Sequence, residues 1–288
     1  MQIKLNDLKM TYPSGKCALN EVNLSLESPN MVGLLGPNGA GKSTLMKLLV
    51  SSIIPTQGEI LIDDKNLRKC EKEMKRQLGY LPQSFGLYDE LSVVGFLDYM
   101  ASLKQIANRK EAIEKALLAT NLKPFMKTKI HNLSGGQAQR VGIAQAILGD
   151  PKFLIFDEPT VGLDPEERIH FRNYFSKTAQ DKLVILSTHI IEDVQAVCNQ
   201  LVVLNHGKIL FHGTPEEMIV AASGHVGTFY DDNTYAHSDE LKVTSRINTS
   251  KGILCRVVAK ELPNYVTSCE PNLEDAYLYL IETEGGKL

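Results

Sequence analysis

Three short apolar runs, residues 31–35, 153–156 and 183–186, are each followed closely by polar chemistry. They are too short for a helix that fills a core. An unbroken apolar run of this length predicts a strand covered on both faces, as in a parallel sheet. Between them the apolar positions take a helical spacing over 42–50, 165–178 and 191–198. Strands alternating with helices predict an α/β fold. In open α/β sheets ligands bind beyond the carboxyl ends of the strands. Here those ends carry Gly36 to Ser43, Asp157-Glu158 and His189. Runs far apart in sequence thus bring reactive groups to one edge.

Two stretches depart from this pattern. From about residue 92 to 150 the chain reads as helices over 92–106, 109–121 and 135–148, with breaks at Asn108 and Pro124. This predicts a helical insertion, a subdomain of about 84–150 with the loop that precedes it. The second change comes near Ala222. Residues 1–222 hold 25 basic and 24 acidic side chains, whereas residues 223–288 hold 6 and 10, with half of the ten tyrosines. Residues 243–247 and 253–258 read as strands joined through 248–252 as a hairpin. A last helix begins at Leu273, with Asn272 as cap, Asp275 in its first turn, and Leu273, Ala276, Tyr277 and Leu280 on one face. The expected division is a main domain over 1–222 and a small α+β appendage over 223–288. No repeat of 20–50 residues is visible.

Composition narrows the function classes. Of 288 residues, 43% are hydrophobic and 23% charged, ordinary for a globular protein. Thirty-one basic against 34 acidic side chains give a net charge of -3, which argues against a dedicated nucleic-acid binder. No apolar run approaches the ~18 residues of a membrane span; the best stretch, 45–54, is interrupted by Lys47, Ser51 and Ser52. The N-terminus carries charge early, at Lys4 and Asp7, unlike a signal peptide. The five cysteines are odd in number, scattered and without a C-x-x-C pair, so neither a disulfide framework nor a zinc site is expected and a reducing cytosol fits. A membrane role then has to come through a partner.

The residues Gly36-Pro37-Asn38-Gly39-Ala40-Gly41-Lys42-Ser43 match G-x-x-x-x-G-K-[ST], between an apolar strand and a helix. Glycines let such a loop wrap so that its amides face phosphate oxygens, and the helix N-terminus adds positive potential. The lysine reaches the β/γ-phosphates and the hydroxyl ligates Mg²⁺. The run ending in Asp157-Glu158 sets two carboxylates side by side at a buried strand end, which is costly without a cation. Mg²⁺ supplies that cation. Asp157 then serves the metal, and Glu158 can orient or deprotonate an attacking water.

Other positions carry two readings each. Ser134 and Gln137 in Leu133-Ser134-Gly135-Gly136-Gln137 satisfy an S-x-x-Q capping box, a purely structural helix start. That box does not need two glycines, and Gly135 and Gly136 leave backbone donors approachable by an anion. Taken singly, His189 reads as a structural histidine, Gln83 as a solvated or hydrogen-bonded glutamine, and Tyr12 as a tyrosine before a turn.

Phosphate loop, Gln83, LSGGQ, Asp157-Glu158 and His189 occur in the order and approximate spacing seen in the ATP-binding cassette (ABC) ATPases, and residues 1 to about 216 resemble that family. LSGGQ is the signature that separates it from other P-loop ATPases. The resemblance implies a P-loop NTPase cassette with a helical insertion, binding ATP and Mg²⁺. It implies that Tyr12 stacks on adenine, and that Gly36, Asn38, Gly39, Ala40, Gly41, Lys42, Ser43 and Thr44 surround the phosphates. Ser43, Gln83 and Asp157 serve the metal, Glu158 is the catalytic base, and His189 contacts the γ-phosphate. Thr160-Val161-Gly162-Leu163-Asp164 resembles the family's D-loop, with Val161 where Ser or Ala is frequent.

The resemblance also implies partners. Two cassettes, identical or different, close head to tail so that Ser134, Gly135, Gly136 and Gln137 of one meet the nucleotide of the other. A transmembrane permease docks near Gln83, where Phe85, Leu87 and Tyr88 offer apolar contact or pack locally. The chain then sits peripherally on the cytoplasmic face of the membrane, through the permease alone. Pro271-Asn272-Leu273-Glu274-Asp275 and the hydrophobic residues after it resemble the ending of bacterial cassettes that serve drug, antibiotic or sodium exporters, with Asn272 where Thr or Ser is usual. Export is therefore the expected direction. The rival reading is a non-transport ATPase of the same fold, such as the Fe–S assembly type.

Overall fold

The computed structural model describes residues 1–231 and 241–284; residues 232–240 and 285–288 of the expected appendage lie outside it. In chain order the strands and helices are β1 (Gln2–Thr11), β2 (Cys17–Glu27), β3 (Asn30–Leu35), α1 (Lys42–Leu49), β4 (Gln57–Ile62), β5 (Lys65–Asn66), α2 (Leu67–Arg76) and β6 (Leu78–Leu81). The insertion follows as α3 (Val93–Leu103), α4 (Arg109–Ala119) and α5 (Gly135–Ile147). The chain then returns through β7 (Phe153–Asp157), α6 (Pro165–Thr178), β8 (Leu183–Ser187), α7 (Ile191–Val197), β9 (Gln200–Asn205), β10 (Lys208–Gly213) and α8 (Pro215–Ala221). The appendage contains β11 (Val226–Asp231), β12 (Lys242–Thr249), β13 (Gly252–Val258), β14 (Thr267–Ser268) and α9 (Leu273–Glu284).

The three apolar runs become β3, β7 and β8, adjacent parallel strands in a six-stranded sheet ordered β10-β9-β3-β8-β7-β6. Every residue of β7 and β8 is buried. The reason is that both faces are covered. Val32, Leu34, Phe153, Ile155, Leu183 and Ile185 pack on one side with α1 and the antiparallel sheet β2-β1-β4-β5. Their neighbours Met31, Leu35, Leu154, Phe156, Val184 and Leu186 pack on the other with the helices. One period-2 alternation thus feeds two hydrophobic cores.

The helical insertion packs into the second of these cores through Phe96, Leu97, Ile113, Leu117, Val141 and Ala144. Lys104 fastens α3 to α5, donating to the carbonyls of Gln145 (3.1 Å) and Leu148 (3.4 Å) at the end of α5. Burial pushes its pKa down to about 8. Phe85 and Leu87 also pack into this core, so the local alternative applies to them, while Tyr88 is 54% exposed beside Tyr99.

The hairpin of the appendage forms as β12 and β13, within a sheet ordered β12-β13-β11-β14. Asn272 caps α9 reciprocally with Asp275: each backbone amide donates to the other's side chain, at 2.8 and 2.9 Å. Asparagine therefore does at this helix start what Thr or Ser does elsewhere. The hydrophobic core does not stop at residue 222. It continues through Ala222, Val226, Val258, Leu273, Ala276 and Ile281, so α9 is packed onto the same core as β3 and α7.

Candidate functional site

The phosphate loop leaves the buried end of β3 and enters α1 at Lys42. Its shape depends on two glycines. A Cβ on Gly36 would lie 2.2 Å from the Leu204 carbonyl oxygen, and one on Gly41, at φ 113°, would lie 2.6 Å from the Ala18 oxygen. No acidic side chain occupies the first turn of α1, so the positive end of the helix is not neutralised locally. Lys42 Nζ donates to the loop's own carbonyls, Gly36 O at 2.5 Å and Pro37 O at 3.2 Å. Burial lowers its pKa, while Glu158 and Asp157 oppose that shift. The Tyr12 hydroxyl pairs with Thr44 Oγ1 at 3.1 Å, which fixes the tyrosine to the start of α1.

The carboxylates come from the end of β7. Asp157 is 6% exposed and stands in register with Ser187 of β8. Burial raises its pKa, and the neighbouring Glu158 charge adds to this. Ser187, Lys42 and the Gln83 backbone pull it down. The Ser187 hydroxyl is buried without a hydrogen bond of good geometry, so this strand end is a polar site with bonding capacity left over. Burial, then the Asp157 charge, pushes the Tyr80 phenol up to about 12.

Glu158 departs from the strand at φ 54°, an uncommon conformation for a residue with a side chain and one concentrated at functional sites. Its amide donates to Ser187 O at 2.8 Å. Its carboxylate is gripped from the end of β8, by Thr188 Oγ1 at 3.2 Å and His189 Nδ1 at 2.9 Å. The turn thus brings the Glu158 carboxylate to two donors at the end of β8.

Tyr12, Asn38, Gly39, Ala40, Gly41, Lys42, Ser43, Thr44, Gln83, Asp157 and Glu158 line one cleft of about 150 Å³. Gly36 and His189 line an adjoining cleft of about 400 Å³, which shares Asn38, Gln83 and Glu158 with the first. Ser134, Gly135, Gly136 and Gln137 line neither. The capping box is formed, and α5 begins there. The helix still touches the site's backbone, because Gln139 Nε2 donates to Glu158 O (3.4 Å) and Pro159 O (3.0 Å).

Several residues of this arrangement lie outside the sequence reading. The buried carboxylate of Asp193 on α7 accepts from Thr160 Oγ1 and Arg172 Nε, both at 2.6 Å. It ties the turn after Glu158 to the helix after His189. Thr188 and Gln139 also escape a sequence reading. Single polar residues that meet across 19 to 33 positions leave no periodic trace.

Comparison with known proteins bears on this geometry. A family model described as ABC transporter matches residues 19–161. The chain is 34% identical over 206 residues to the "ABC transporter ATP-binding protein NatA" of Bacillus subtilis, covering 70% of this chain and 83% of that protein. It is 33% identical over 226 residues to the "Probable multidrug ABC transporter ATP-binding protein YbhF" of Escherichia coli, covering 77% of this chain but only 39% of that one. It is 31% identical over 234 residues to the "Phosphonates import ATP-binding protein PhnC" of Treponema denticola, covering 76% of this chain and 91% of the relative. Among solved structures, the "Dimeric Structure of MJ0796, a Bacterial ABC Transporter Cassette" superposes with a TM-score of 0.69 at 27% identity, over 74% of this chain and 98% of that one. The same cassette in a "post-hydrolysis state" bound to ADP and Pi gives 0.68 at 27% identity, over the same shares of both chains.

Proposed function

The chain belongs to the ABC transporter family of ATP-binding cassettes, and from that premise we propose that it hydrolyses ATP at the Lys42–Glu158 cleft as the energy-supplying subunit of an exporter. The observation that carries the catalytic part is the placement of Glu158. A carboxylate fixed by His189 and Thr188 stands at the mouth of a phosphate-binding loop, beside Lys42 and Asp157. Phosphoryl transfer asks little covalent chemistry of a protein. It needs positioned donors for the phosphate oxygens and a group that orients and deprotonates the water. The loop amides and Lys42 supply the donors, and Glu158 supplies the base.

The donor set fits Mg²⁺. A hard cation that keeps several waters needs only one or two protein oxygens beside the phosphates, and Ser43, Gln83 and Asp157 offer these in one cleft. Among the described residues no cluster of three His, Cys, Asp or Glu side chains suits a tighter metal. When bound, Mg²⁺ neutralises charge on the β- and γ-phosphate oxygens. Tyr12, held by Thr44, lines the same cleft and is the aromatic that an adenine would stack on.

Two partners follow. The Ser134–Gln137 turn lines neither of the two clefts around Glu158, and the MJ0796 relative is described as dimeric. A second cassette, identical or not, supplies the missing wall with that turn. Among the described residues no helix is long and apolar enough to cross a membrane. A separate permease then does the crossing, reached through the exposed Tyr88, Tyr99 and Leu103. The chain rests on the cytoplasmic face by that contact. Export is favoured by the resemblance of the 271–280 ending, and YbhF is named for multidrug transport. PhnC, named for import, is similar to a comparable degree.

The test is steady-state ATPase activity of Glu158→Gln in the complex purified with its membrane partner and reconstituted. Loss of at least a hundredfold in kcat with ATP still bound is expected; turnover near wild type removes the assignment. ATP-driven substrate movement in inverted vesicles reads the direction. Recovery of the chain only with soluble scaffold proteins removes the transporter reading.

A further inference from the structure

The appendage reaches the nucleotide site. Tyr277, in the second turn of α9, lines the 400 Å³ cleft together with Gly36, Asn38, Glu158, Thr188 and His189. It is separated from these residues by between 88 and 241 positions of chain. Its place is firmly determined. The α9 start is closed by the Asn272–Asp275 box, and Asp275 is also held by Arg256 Nε at 2.8 Å and Thr244 Oγ1 at 3.2 Å, from β13 and β12. In the same first turn, Leu273 and Ala276 are buried in the same core as Val194 of α7, the helix that follows His189. A side chain fixed at both its helix start and its packing face has little freedom to leave the cleft.

His189 needs such a wall. Its side chain is 70% exposed, and among the described residues Glu158 Oε1 is the hydrogen-bond partner of its ring. An exposed imidazole on one hydrogen bond exchanges that bond with water readily. A half-buried ring in the wall of the same cleft narrows the space open to the imidazole and reduces the water that competes for Glu158. We infer that Tyr277 is a positioning residue for the Glu158–His189 pair, so that the C-terminal helix completes the catalytic cleft. Burial also keeps the phenol protonated, with its pKa raised. Tyr277 therefore adds no charge next to the carboxylate.

The inference rests on the catalytic reading of Glu158, and the experiment separates the two. Full-length Tyr277→Ala, Tyr277→Phe and Glu158→Gln are compared with wild type in the reconstituted complex, for KM and kcat with ATP, the pH profile of kcat, and thermal midpoint. Tyr277→Ala is expected to lower kcat about tenfold and displace the acid limb of the profile, with KM within about twofold. Tyr277→Phe, which keeps the ring, recovers most of the loss. Wild-type kcat and pH profile in Tyr277→Ala overturn the inference while leaving Glu158 in its role. So does a kcat loss that tracks the folded fraction. Should the alanine variant not fold, Tyr277→Leu takes its place under the same criteria. Full turnover in Glu158→Gln defeats the catalytic reading, and the inference with it.

Discussion

Replacing Asp157 by asparagine is expected to stabilise the nucleotide-free protein and to destabilise it, relative to wild type, once Mg²⁺ and ATP are present. Asp157 is buried at a strand end with Glu158 next in sequence, and burial is the largest cause of its raised pKa. A raised carboxyl pKa means that the folded state keeps its proton to higher pH than the unfolded chain. The stability is fully present below the unfolded value of 3.8 and is lost as pH rises through the folded pKa. Asparagine keeps the shape and drops the charge, so a gain at the small end of the range of about 0.5–3 kcal/mol for single substitutions is expected at pH 7.5, a few degrees in Tm for a chain of this size. With ATP and Mg²⁺ at about a hundred times Kd, wild type gains about 2.7 kcal/mol by mass action. The variant, lacking the carboxylate charge that would support the metal, gains little, so the order of the two proteins inverts. Thermal melts of both proteins, with and without Mg²⁺-ATP, at pH 7.5 and near pH 5 read this directly. The nucleotide-free gap should narrow at the lower pH. A nucleotide-free variant less stable than wild type at pH 7.5, or one that keeps the full Mg²⁺-dependent shift, refutes the reasoning.

Two further outcomes follow from the geometry. Gly36→Ala places a methyl 2.2 Å from the Leu204 oxygen at φ 149°, so the loop must move; loss of ATP binding with a stability cost of about 2 kcal/mol or more is expected, read by nucleotide titration and denaturant melts, and unchanged ATP affinity contradicts it. Lys104, with a pKa lowered to about 8 by burial, holds fewer protons folded than unfolded between pH 8 and 10.5. Its contribution therefore rises across that window, by on the order of 2 kcal/mol after allowing for the solvent that reaches the side chain. Lys104→Met removes this slope, and parallel pH–stability curves for the two proteins contradict it.

The parts of the fold visible in the sequence are those written as uninterrupted signals. The runs at 31–35, 153–156 and 183–186 predict β3, β7 and β8, and the proline at 165 marks the start of α6. The antiparallel sheet is less visible. The alternation of β1 is broken at Asn6-Asp7, where its register against both neighbours shifts and Asp7 takes φ 47°. The run at 201–204 carries the same signal as the other buried strands and marks β9, which the three-run reading leaves out. Within the site, the loop and the carboxylates are legible because their chemistry is consecutive in the chain. The Thr160–Asp193–Arg172 bonds and the reach of Tyr277 are not, since they arise only when helices pack.

The two readings of the Ser134–Gln137 turn prove compatible. The capping box uses the Gln137 amide, which donates to Ser134 Oγ at 3.2 Å, and returns the Gln137 side chain to the Ser134 amide at 3.0 Å. The next amide, Ala138, donates to the Ser134 carbonyl at 2.9 Å. A helix start has four amides without an intrahelical acceptor. Here the box accounts for those at positions 134 and 137. The donors it does not use belong to Gly135 and Gly136, and a Cβ on Gly135 would meet nothing within 4 Å. No acidic side chain shares this first turn. The cap therefore leaves the Gly135 and Gly136 amides unused by the box at a positive helix end, with open space around Gly135 and with Glu167 Oε2 and Gly162 O close to Gly136. Two residues further on, Gln139 holds the carbonyls of Glu158 and Pro159. On the proposed function, an anion held by a second cassette would meet a helix already bonded to the backbone of the proposed base. The structural requirement of α5 and the chemical requirement proposed for the shared site thus fall on the same four residues.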